Sequence, residues 1–266
     1  MGNFNYGFLF DDMTWSYSRI CTFVDCRYKF FLKYISKCEG IDKFFASYGS
    51  FMHKIIENYY RGIFSKETML TAFLDGFSSQ VRGIRPNDKI VGNYISSGIE
   101  YLKSFQPFPY EMVDVEKRIE FEIDGLKFVV IIDFIGKKDG KYYIIDNKSR
   151  DLKPRSKRTK PTKNDITLDK MLRQLYLYAA AVQHEYGELP EALCFNCFRT
   201  GVFIVEPFNE EAYHETLKWA KDEVLKIKDS DDFYPSYEYF PCSFICDVSN
   251  ECCYFDMARD DRRNHY

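Results

Sequence analysis

Two aspartates and a lysine are the residues of this chain whose spacing points most directly to chemistry. Asp133 follows the apolar run 129–132, and Asp146 follows a second apolar run, with Lys148 two residues beyond it. An Asp-Gly pair lies between the two runs, and such a pair is typical of a two-residue hairpin turn. Counting back from that turn places Asp133 opposite Asp146, where facing side chains lie about 5 Å apart.

This predicted arrangement is the kind that binds a cation. Two like charges that face each other on a half-buried sheet are destabilising, so either one carboxyl holds a proton or a cation lies between them. Lys148 shares the face of Asp146, because strand side chains alternate. Carboxylates suit Mg²⁺ or Mn²⁺, and an ammonium beside them can orient water and balance charge on a phosphate. The alternative is a simple salt bridge between Asp146 and Lys148 beside a surface Asp133.

Two predicted helices carry polar residues that could complete such a site. His53 lies four residues from both Gly49 and Glu57, so the three share one helix face, and the imidazole offers a nitrogen ligand. Gln174 and Tyr178 have the same spacing on a long apolar helix. Taken alone, each set is more typical of packing than of function.

Periodicity and turn residues predict the elements that position these side chains. Strands are expected at about 112–123, 126–136, 141–147, 191–198 and 201–206. Helices are expected at about 14–37, with a break near Cys26, and at about 47–63, 66–80, 90–105, 167–186 and 209–228. This order predicts an α/β fold with one mixed sheet flanked by helices. We expect one structural domain with three parts: a helical part at 1–110, a core at 111–230 and a cysteine-rich tail at 231–266.

The composition is that of an ordinary globular protein. Hydrophobic residues make up 45% of the 266 residues and charged residues 29%, which excludes a disordered chain, a collagen-like repeat and a coiled coil. No run approaches the length of about 18 apolar residues that a membrane-spanning helix needs. The net charge of −3 argues against a protein coated with positive charge, but leaves room for a local basic patch. Because the first residues lack a secretion signal, we expect a cytoplasmic, reducing location.

Nine cysteines are the unusual feature of the composition. In a reducing compartment they should be thiols or ligands rather than disulfides. Cys242, Cys246 and Cys252 have short, ligand-like spacing, and four thiolates can hold either a [4Fe–4S] cluster or Zn²⁺. Unligated thiols in a loose tail are the alternative. Cys194 and Cys197 fall on a predicted strand, where they should point to opposite faces and serve as ordinary thiols.

Taken in order, these motifs resemble those of a known family. Gly-x-x-x-His, an Asp after a hydrophobic strand, Asp-x-Lys and Gln-x-x-x-Tyr resemble the PD-(D/E)XK nucleases of the RecB/AddB type, a group that includes CRISPR-adaptation nucleases and phage exonucleases. The segment that starts at Trp15 resembles the N-terminal signature of the group, and the terminal cysteines resemble its iron–sulfur staple. The resemblance covers residues 14–255. Arg27 stands where the group usually has Pro, and Asn147 where it usually has an apolar or aromatic residue.

The resemblance implies a restriction-endonuclease-like domain and a metal-dependent DNA nuclease, an exonuclease that acts on DNA ends. The implied ligands of one or two Mg²⁺ or Mn²⁺ ions are the side chains of His53, Asp133 and Asp146 and the main-chain carbonyl of Asn147. Lys148 would be the catalytic lysine. Gln174 and Tyr178 would contact the DNA backbone and support Lys148. The alternative function is a catalytically inactive DNA-end or junction-binding protein on the same scaffold.

For the cysteines, the resemblance favours a [4Fe–4S] cluster over zinc. The implied ligands are Cys26, Cys242, Cys246 and Cys252, so that the tail packs back on the first helix. The spacing leaves open whether Cys253 replaces Cys252 and whether Cys21 replaces Cys26. A zinc-binding interaction module is the alternative interpretation of the tail. The expected partner is DNA with free ends, and a helicase, an annealing protein or a CRISPR-integration protein would also suit the group.

A run of basic residues follows the proposed site in a predicted loop at 150–164. Its candidate DNA-binding residues are Arg150, Lys153, Arg155, Lys157, Arg158 and Lys160. Asp151 is the one acidic residue of the segment, so we expect the loop to neutralise DNA phosphates with an affinity that falls as salt rises. A solvated, mobile loop is the alternative.

Overall fold

Five strands form one mixed sheet in the computed structural model, which describes residues 6–257. The strands are β1 (Glu111–Ile123), β2 (Leu126–Lys138), β3 (Lys141–Asn147), β4 (Ala192–Cys197) and β5 (Val202–Pro207). They lie in the order β1-β2-β3-β4-β5, and only the β3–β4 pair is parallel. The predicted α/β fold with a mixed sheet flanked by helices is therefore confirmed. The first five residues of the predicted helical part and residues 258–266 of the predicted tail lie outside the described range.

Two tight turns fix the register of the first three strands. Asp124 and Gly125 have φ values of +49° and +78°, and Asp139 and Gly140 have +51° and +79°. Positive φ at both central residues is the geometry of a type I′ turn, which only residues such as Gly, Asn and Asp adopt readily. Ile123 accordingly pairs with Leu126 at the first turn. Each hairpin therefore has the two-residue loop that the sequence predicts.

The part of the chain that the structure describes contains seven α-helices, which flank the sheet: α1 (Tyr17–Asp25), α2 (Arg27–Phe30), α3 (Phe44–Tyr60), α4 (Lys66–Gln80), α5 (Asp88–Ser104), α6 (Lys163–Tyr186) and α7 (Glu210–Lys228). The predicted break near Cys26 is confirmed, because Cys26 has an extended backbone between α1 and α2. Helix α6 begins about four residues earlier than expected. Thr162 and Asp165 form a reciprocal capping box that satisfies main-chain donors at its start.

Two hydrophobic cores position the sheet between helical layers. One core joins the sheet to α1, α6 and α7, and α6 contributes buried residues such as Leu175 and Leu177. The second joins α3, α4 and α5 around Tyr48, Phe73 and Phe198. Cys197 is fully buried in the first core, and Cys194 is fully buried in a smaller cluster with Phe134 and Ile145, which confirms that they point to opposite faces of β4. No helix in the described range 6–257 has the length and apolarity needed to cross a membrane.

The tail after α7 has little regular structure. A π turn at Pro241–Ile245 and a 3-10 turn at Ser249–Glu251 are its named elements. It packs beside α2, where the main-chain N–H of Tyr28 donates to the carbonyl of Tyr234 at 3.1 Å. This part of the tail therefore lies against α2.

Candidate active site

The β2–β3 hairpin brings the two predicted aspartates together. The pairing runs from Lys138–Lys141 to Phe134–Ile145, and the next position along the two strands is that of Asp133 and Asp146. Both carboxylates are buried, with 7% and 2% of their surface exposed. Burial, and then the charge of Asp146, raise the pKa of Asp133 to about 8. The folded chain therefore has the two neighbouring buried acids, with the electrostatic repulsion between them, that the sequence predicts.

Lys148 lies directly against this pair. Its Nζ is 2.7 Å from Asp146 Oδ2 and donates to Gln174 Oε1 at 2.8 Å. The main-chain N–H of Lys148 donates to the carbonyl of Asn196 at 2.8 Å, which continues the parallel pairing of β3 and β4 and fixes the backbone. The amine is therefore held between one acid and one amide.

Gln174 and Tyr178 lie on the face of α6 that points to Asp146. Gln174 Nε2 donates to the Tyr178 hydroxyl at 2.5 Å, and that hydroxyl lies 3.5 Å from Asp146 Oδ1. Burial, and then the charge of Asp146, keep the pKa of Tyr178 well above its ordinary value, so the hydroxyl remains a donor. The helical pair that the sequence singled out is therefore part of one network with Lys148.

Helix α3 brings His53 to the other side of Asp133. His53 Nδ1 is 3.3 Å from Asp133 Oδ2, and its ring packs edge-on against Phe198. Burial lowers the pKa of His53, which favours the neutral imidazole that binds metals. Asp133 Oδ2 also accepts the main-chain N–H of Asn147 at 2.7 Å. The structure thus places every predicted metal-site residue in one region of the molecule.

Glu116 on β1 is a residue of this region that the sequence analysis missed. It stands between the β1–β2 pairs Val115–Phe134 and Lys117–Ile132, at the level of Asp133. Burial, and then the charge of Asp133, raise its pKa to about 7. A signal was present in the sequence, because counting seven residues back from the Asp124-Gly125 turn places Glu116 opposite Asp133. The same count that found Asp146 would have found Glu116.

The donor set suits a hard divalent cation. Within residues 6–257, His53, Glu116 and Asp133 bring three ligand atoms within 4.8 Å of one another. Asp146 Oδ2 is buried and makes no hydrogen bond, and its one close charged neighbour in the described range is the Lys148 amine at 2.7 Å. A buried carboxylate oxygen without a hydrogen bond is costly unless a charge or an ion satisfies it. The residues present therefore fit Mg²⁺ or Mn²⁺, which prefer oxygen ligands.

The basic loop after Lys148 is exposed, but its residues differ in what they contact. Arg150 and Lys153 are exposed, as are the remaining candidates Lys157, Arg158 and Lys160. Arg155 is engaged: its Nε donates to Glu206 at 2.8 Å and its guanidinium reaches Asp169 at 2.7 Å. Arg155 therefore fastens the loop to β5 and α6.

Four cysteines converge where the tail meets α2. The pKa of Cys252 is raised to about 11 by burial and, to a smaller extent, by the neighbouring charges of Cys246, Cys26 and Cys242. Cys26 Sγ accepts two main-chain N–H groups, from Lys29 and Ser236, each at 3.4 Å. Amide donors of this kind are common around cluster sulfurs. Cys253, in contrast, is exposed.

Comparisons with known proteins agree with this geometry. The sequence model of the PD-(D/E)XK nuclease superfamily matches residues 14–253. A candidate exonuclease from Eubacterium rectale shares the fold, with a TM-score of 0.52 at 14% identity over 90% of this chain and 87% of its own. A second solved structure, SSO0001, covers 84% of this chain and 91% of its own at 16% identity, with a TM-score of 0.29. A search of curated proteins gives no match. Because the family model spans most of the chain and its motif residues meet in one site, the chain belongs to the PD-(D/E)XK nuclease superfamily.

Proposed function

We propose that this nuclease is a divalent-metal-dependent deoxyribonuclease of the RecB/AddB type that hydrolyses phosphodiester bonds from DNA ends. The observation that carries the proposal is the Lys148 amine, 2.7 Å from a buried Asp146 oxygen that has no hydrogen-bond partner. An amine beside a carboxylate pair is the arrangement expected where water attacks a phosphate at a bound cation.

The ligands of the ion or ions would be the side chains of His53, Asp133 and Asp146 and the main-chain carbonyl of Asn147. When bound, Mg²⁺ or Mn²⁺ would supply a water of lowered pKa and would neutralise charge on the phosphate. The lowered pKa of His53 favours the neutral imidazole, which is the form that offers a nitrogen to a metal ion. The N–H of Asn147 holds Asp133 Oδ2 in place at 2.7 Å, so that this carboxylate is oriented before any ion arrives.

Lys148 is preorganised for its role. Asp146 and Gln174 hold its amine from two sides, and Tyr178 in turn holds Gln174. An ammonium fixed in a water-poor site stabilises charge that develops on a phosphate oxygen more strongly than a mobile one does. It can also orient the attacking water by donating a hydrogen bond to it. The α6 pair therefore acts by fixing the direction of the lysine.

A groove supports the passage of a DNA strand beside this site. It has a volume of about 1050 Å³ and extends from Arg150, after the catalytic lysine, to Phe240 in the tail. Phe45, Tyr94 and the Arg199 guanidinium also line it, and Arg199 lies 5.4 Å from the centre of the Tyr94 ring. Aromatic rings and guanidinium planes are what successive bases of a single strand stack on.

The basic loop and the tail would form the two sides of this path. The exposed side chains from Arg150 to Lys160 would neutralise phosphates, and Arg155 would keep the loop in position. The proposed [4Fe–4S] cluster, held by Cys26, Cys242, Cys246 and Cys252, would fix the tail. The partner is DNA with free ends, which a helicase, an annealing protein or a CRISPR-integration protein would supply. The proposed location is the cytoplasm, a reducing compartment in which cysteines stay as thiols or ligands rather than forming disulfides.

Digestion of end-labelled DNA tests the proposal. Wild-type protein is expected to degrade linear DNA with Mg²⁺ or Mn²⁺, to stop in EDTA and to leave circular DNA intact. Asp146→Ala and Lys148→Ala should lose activity by a factor on the order of 10²–10⁴, because each removes a group that acts on the reacting atoms. Both variants should still bind DNA, because the groove and loop are unchanged.

Lys138→Ala is the matched control, since Lys138 lies in the same hairpin but is exposed at its turn. It should cleave at the wild-type rate. Undiminished cleavage by Lys148→Ala would remove the proposed mechanism. A wild-type protein that binds DNA ends but never cleaves them, with either ion, would instead establish a DNA-end-binding protein. Cleavage of circular DNA would show an endonuclease.

A further inference from the structure

A small cavity beside the end of β4 has no role in the mechanism given so far. It lies between the end of α5, the proline-containing segment 105–109 and the turn that joins β4 to β5. Its volume of about 290 Å³ is near the lower end of the range that is typical of small-molecule pockets. None of its lining residues is acidic or basic. Because a buried charge needs a partner, the cavity suits a neutral ligand.

The walls of this cavity are aromatic and held in place. Phe108 stacks on Tyr60 with the ring centres 5.1 Å apart, and the Tyr60 hydroxyl accepts the main-chain N–H of Phe108 at 2.8 Å. The ring of Phe203 lies 5.6 Å from that of Phe108, at an angle of 31°. Pro107 and Pro109 restrict the backbone on either side of Phe108. A flat ring that enters the cavity therefore meets preformed apolar walls, so that little ordering has to accompany binding.

Two polar groups that line the cavity have unused hydrogen-bonding capacity. Asn196 is only 5% exposed, and its Nδ2 donates to the Tyr101 hydroxyl and to Asn147 Oδ1, each at 2.7 Å. Within residues 6–257, Asn196 Oδ1 accepts no hydrogen bond and the Tyr101 hydroxyl donates none. Burial raises the pKa of Tyr101, so the hydroxyl keeps its proton. The cavity thus offers one acceptor and one donor on two side chains that contact each other.

We infer that this cavity binds a nucleobase, either one base of a DNA strand or the base of a free nucleoside. A base is neutral and flat, and its edge carries a donor next to an acceptor. It would stack on Phe108 and Phe203, donate to Asn196 Oδ1 and accept from the Tyr101 hydroxyl. A purely apolar ring would fill the same walls but would leave both polar groups unpaired. The inference goes beyond the proposed function, because it concerns recognition of a base rather than cleavage at a phosphate.

Asn196 connects this cavity to the proposed active site. Its Nδ2 donates to Asn147 Oδ1, and the main-chain N–H of Asn147 donates to Asp133 Oδ2 at 2.7 Å. The main-chain carbonyl of Asn196 also accepts the N–H of Lys148 at 2.8 Å. This network gives a reason for an asparagine at 147, because its side chain is 3% exposed and has a polar partner. A bound base would therefore be linked to Asp133 through two intervening asparagines.

Binding of single deoxynucleosides to the intact protein tests the inference without any cleavage. Titrations followed by NMR in EDTA, with each of the four deoxynucleosides, should give a dissociation constant on the order of 0.1–1 mM for at least one of them. Phe203→Ala should weaken this binding about tenfold, because it removes a stacking wall. Tyr101→Phe should weaken it about fivefold, because it removes the hydroxyl donor. The matched control is Val205→Ala, at a similarly exposed apolar residue of β5 that does not line the cavity, and it should bind as the wild type does.

Competition experiments identify the source of the base. Displacement of the nucleoside by a short single-stranded oligonucleotide, but not by the same strand with abasic sites, would show that a base of DNA is bound. Lack of displacement by either strand would show that a free nucleoside is the ligand. Melting curves check folding, and Phe203→Ala is expected to fold because Phe203 is 36% exposed.

Three results would overturn the inference. One is that the wild type binds none of the four deoxynucleosides. Another is that Phe203→Ala and Tyr101→Phe both bind as tightly as the wild type does. The third is equally tight binding of N-acetyl-phenylalaninamide, which would indicate a pocket for an aromatic side chain of a protein. Each of these results would leave the nuclease proposal intact, since digestion of end-labelled DNA tests that proposal separately.

Discussion

The acidic row and the cysteine cluster are both proposed as ligand sets, and the chain assembles them in opposite ways. The three carboxylates of the acidic row, Glu116, Asp133 and Asp146, lie on three consecutive strands joined by two-residue turns. Cys26 and Cys242 are more than two hundred residues apart and meet where a helix break faces an irregular tail. Local register fixes the first set, whereas long-range contacts fix the second. The spacing of residues in a sequence can therefore specify the first set, but it cannot specify the second.

Charged side chains make several of the long-range contacts of the tail. Asp247 is 3.0 Å from the amine of Lys29 and 2.5 Å from that of Lys33. The buried Lys43 donates to the carbonyl of Ser243 at 3.1 Å and to the hydroxyl of Ser249 at 2.8 Å. Lys43 immediately precedes α3, the helix that carries His53. The tail is thus fastened to the same helix that contributes a ligand to the acidic row.

Removal of one cluster ligand should have the largest effect on the tail. Cys26→Ser is expected to abolish a brown colour and the absorbance near ~400 nm of anaerobically purified protein. Loss of a structural metal centre removes several kcal/mol, so the melting temperature should fall by about 5–15 °C. Cys252→Ser should behave in the same way. The measurements are iron and sulfide content per chain and the thermal unfolding curve.

Two further cysteines serve as controls for this prediction. Cys253→Ser and Cys21→Ser should keep the cluster, because Cys253 is exposed and Cys21 contacts Tyr17 instead of the converging thiols. Colourless protein with one zinc per chain would replace the iron–sulfur proposal with a zinc site. A wild-type level of iron in Cys26→Ser would show that another residue supplies the fourth ligand.

The two regions should also respond to pH in opposite directions in metal-free protein. The pKa of Asp133 is raised to about 8 by burial and by Asp146, so the folded state keeps a proton that the unfolded chain releases near pH 4. The contribution of Asp133 to the free energy of unfolding should therefore fall as pH rises from about 4 to 8. At Asp247 burial acts in the opposite sense, but Lys33 and Lys29 lower its pKa. Its contribution is present above about pH 4 and is lost as pH falls.

Melting temperatures measured in EDTA across this pH range test the prediction. The changes should be smaller than those of the cysteine variants, and the two regions should affect different parts of the pH range. Asp133→Asn should flatten the loss of stability between about pH 5 and 8. Asp247→Asn should flatten the loss below about pH 4 and leave the neutral region unchanged. If both variants altered the same part of the pH profile, the prediction that the two regions respond to pH in opposite directions would be wrong.

Much of the fold and part of the site follow from the sequence. Two Asp-Gly turns set the registers of β1–β3, so the meeting of Asp133 and Asp146 could be counted before any coordinates were known. The capping box at Thr162 and the break at Cys26 explain where the helix boundaries differ from simple periodicity. The position of Glu116 opposite Asp133 could have been found in the same way, by counting from the first turn instead of the second.

Other features depend on tertiary contacts that no spacing reveals. His53 reaches Asp133 because α3 packs against Phe198 in the second core. Arg155 looks like any other basic residue of its loop, yet Glu206 and Asp169, from a later strand and helix, engage it. Which cysteine would complete the proposed cluster also depends on where the tail packs against the first helices. These outcomes are set by packing between distant segments rather than by local pattern.

The central claim is that an ion held by the acidic row contacts the scissile phosphate. The most direct measurement replaces one non-bridging oxygen of that phosphate with sulfur, using each diastereomer of a short end-labelled DNA. Mg²⁺ binds sulfur poorly, whereas Mn²⁺ accepts softer ligands. The account predicts that one diastereomer is cleaved many-fold more slowly with Mg²⁺ and that Mn²⁺ restores its rate. Equal slowing of both diastereomers with either ion would contradict it.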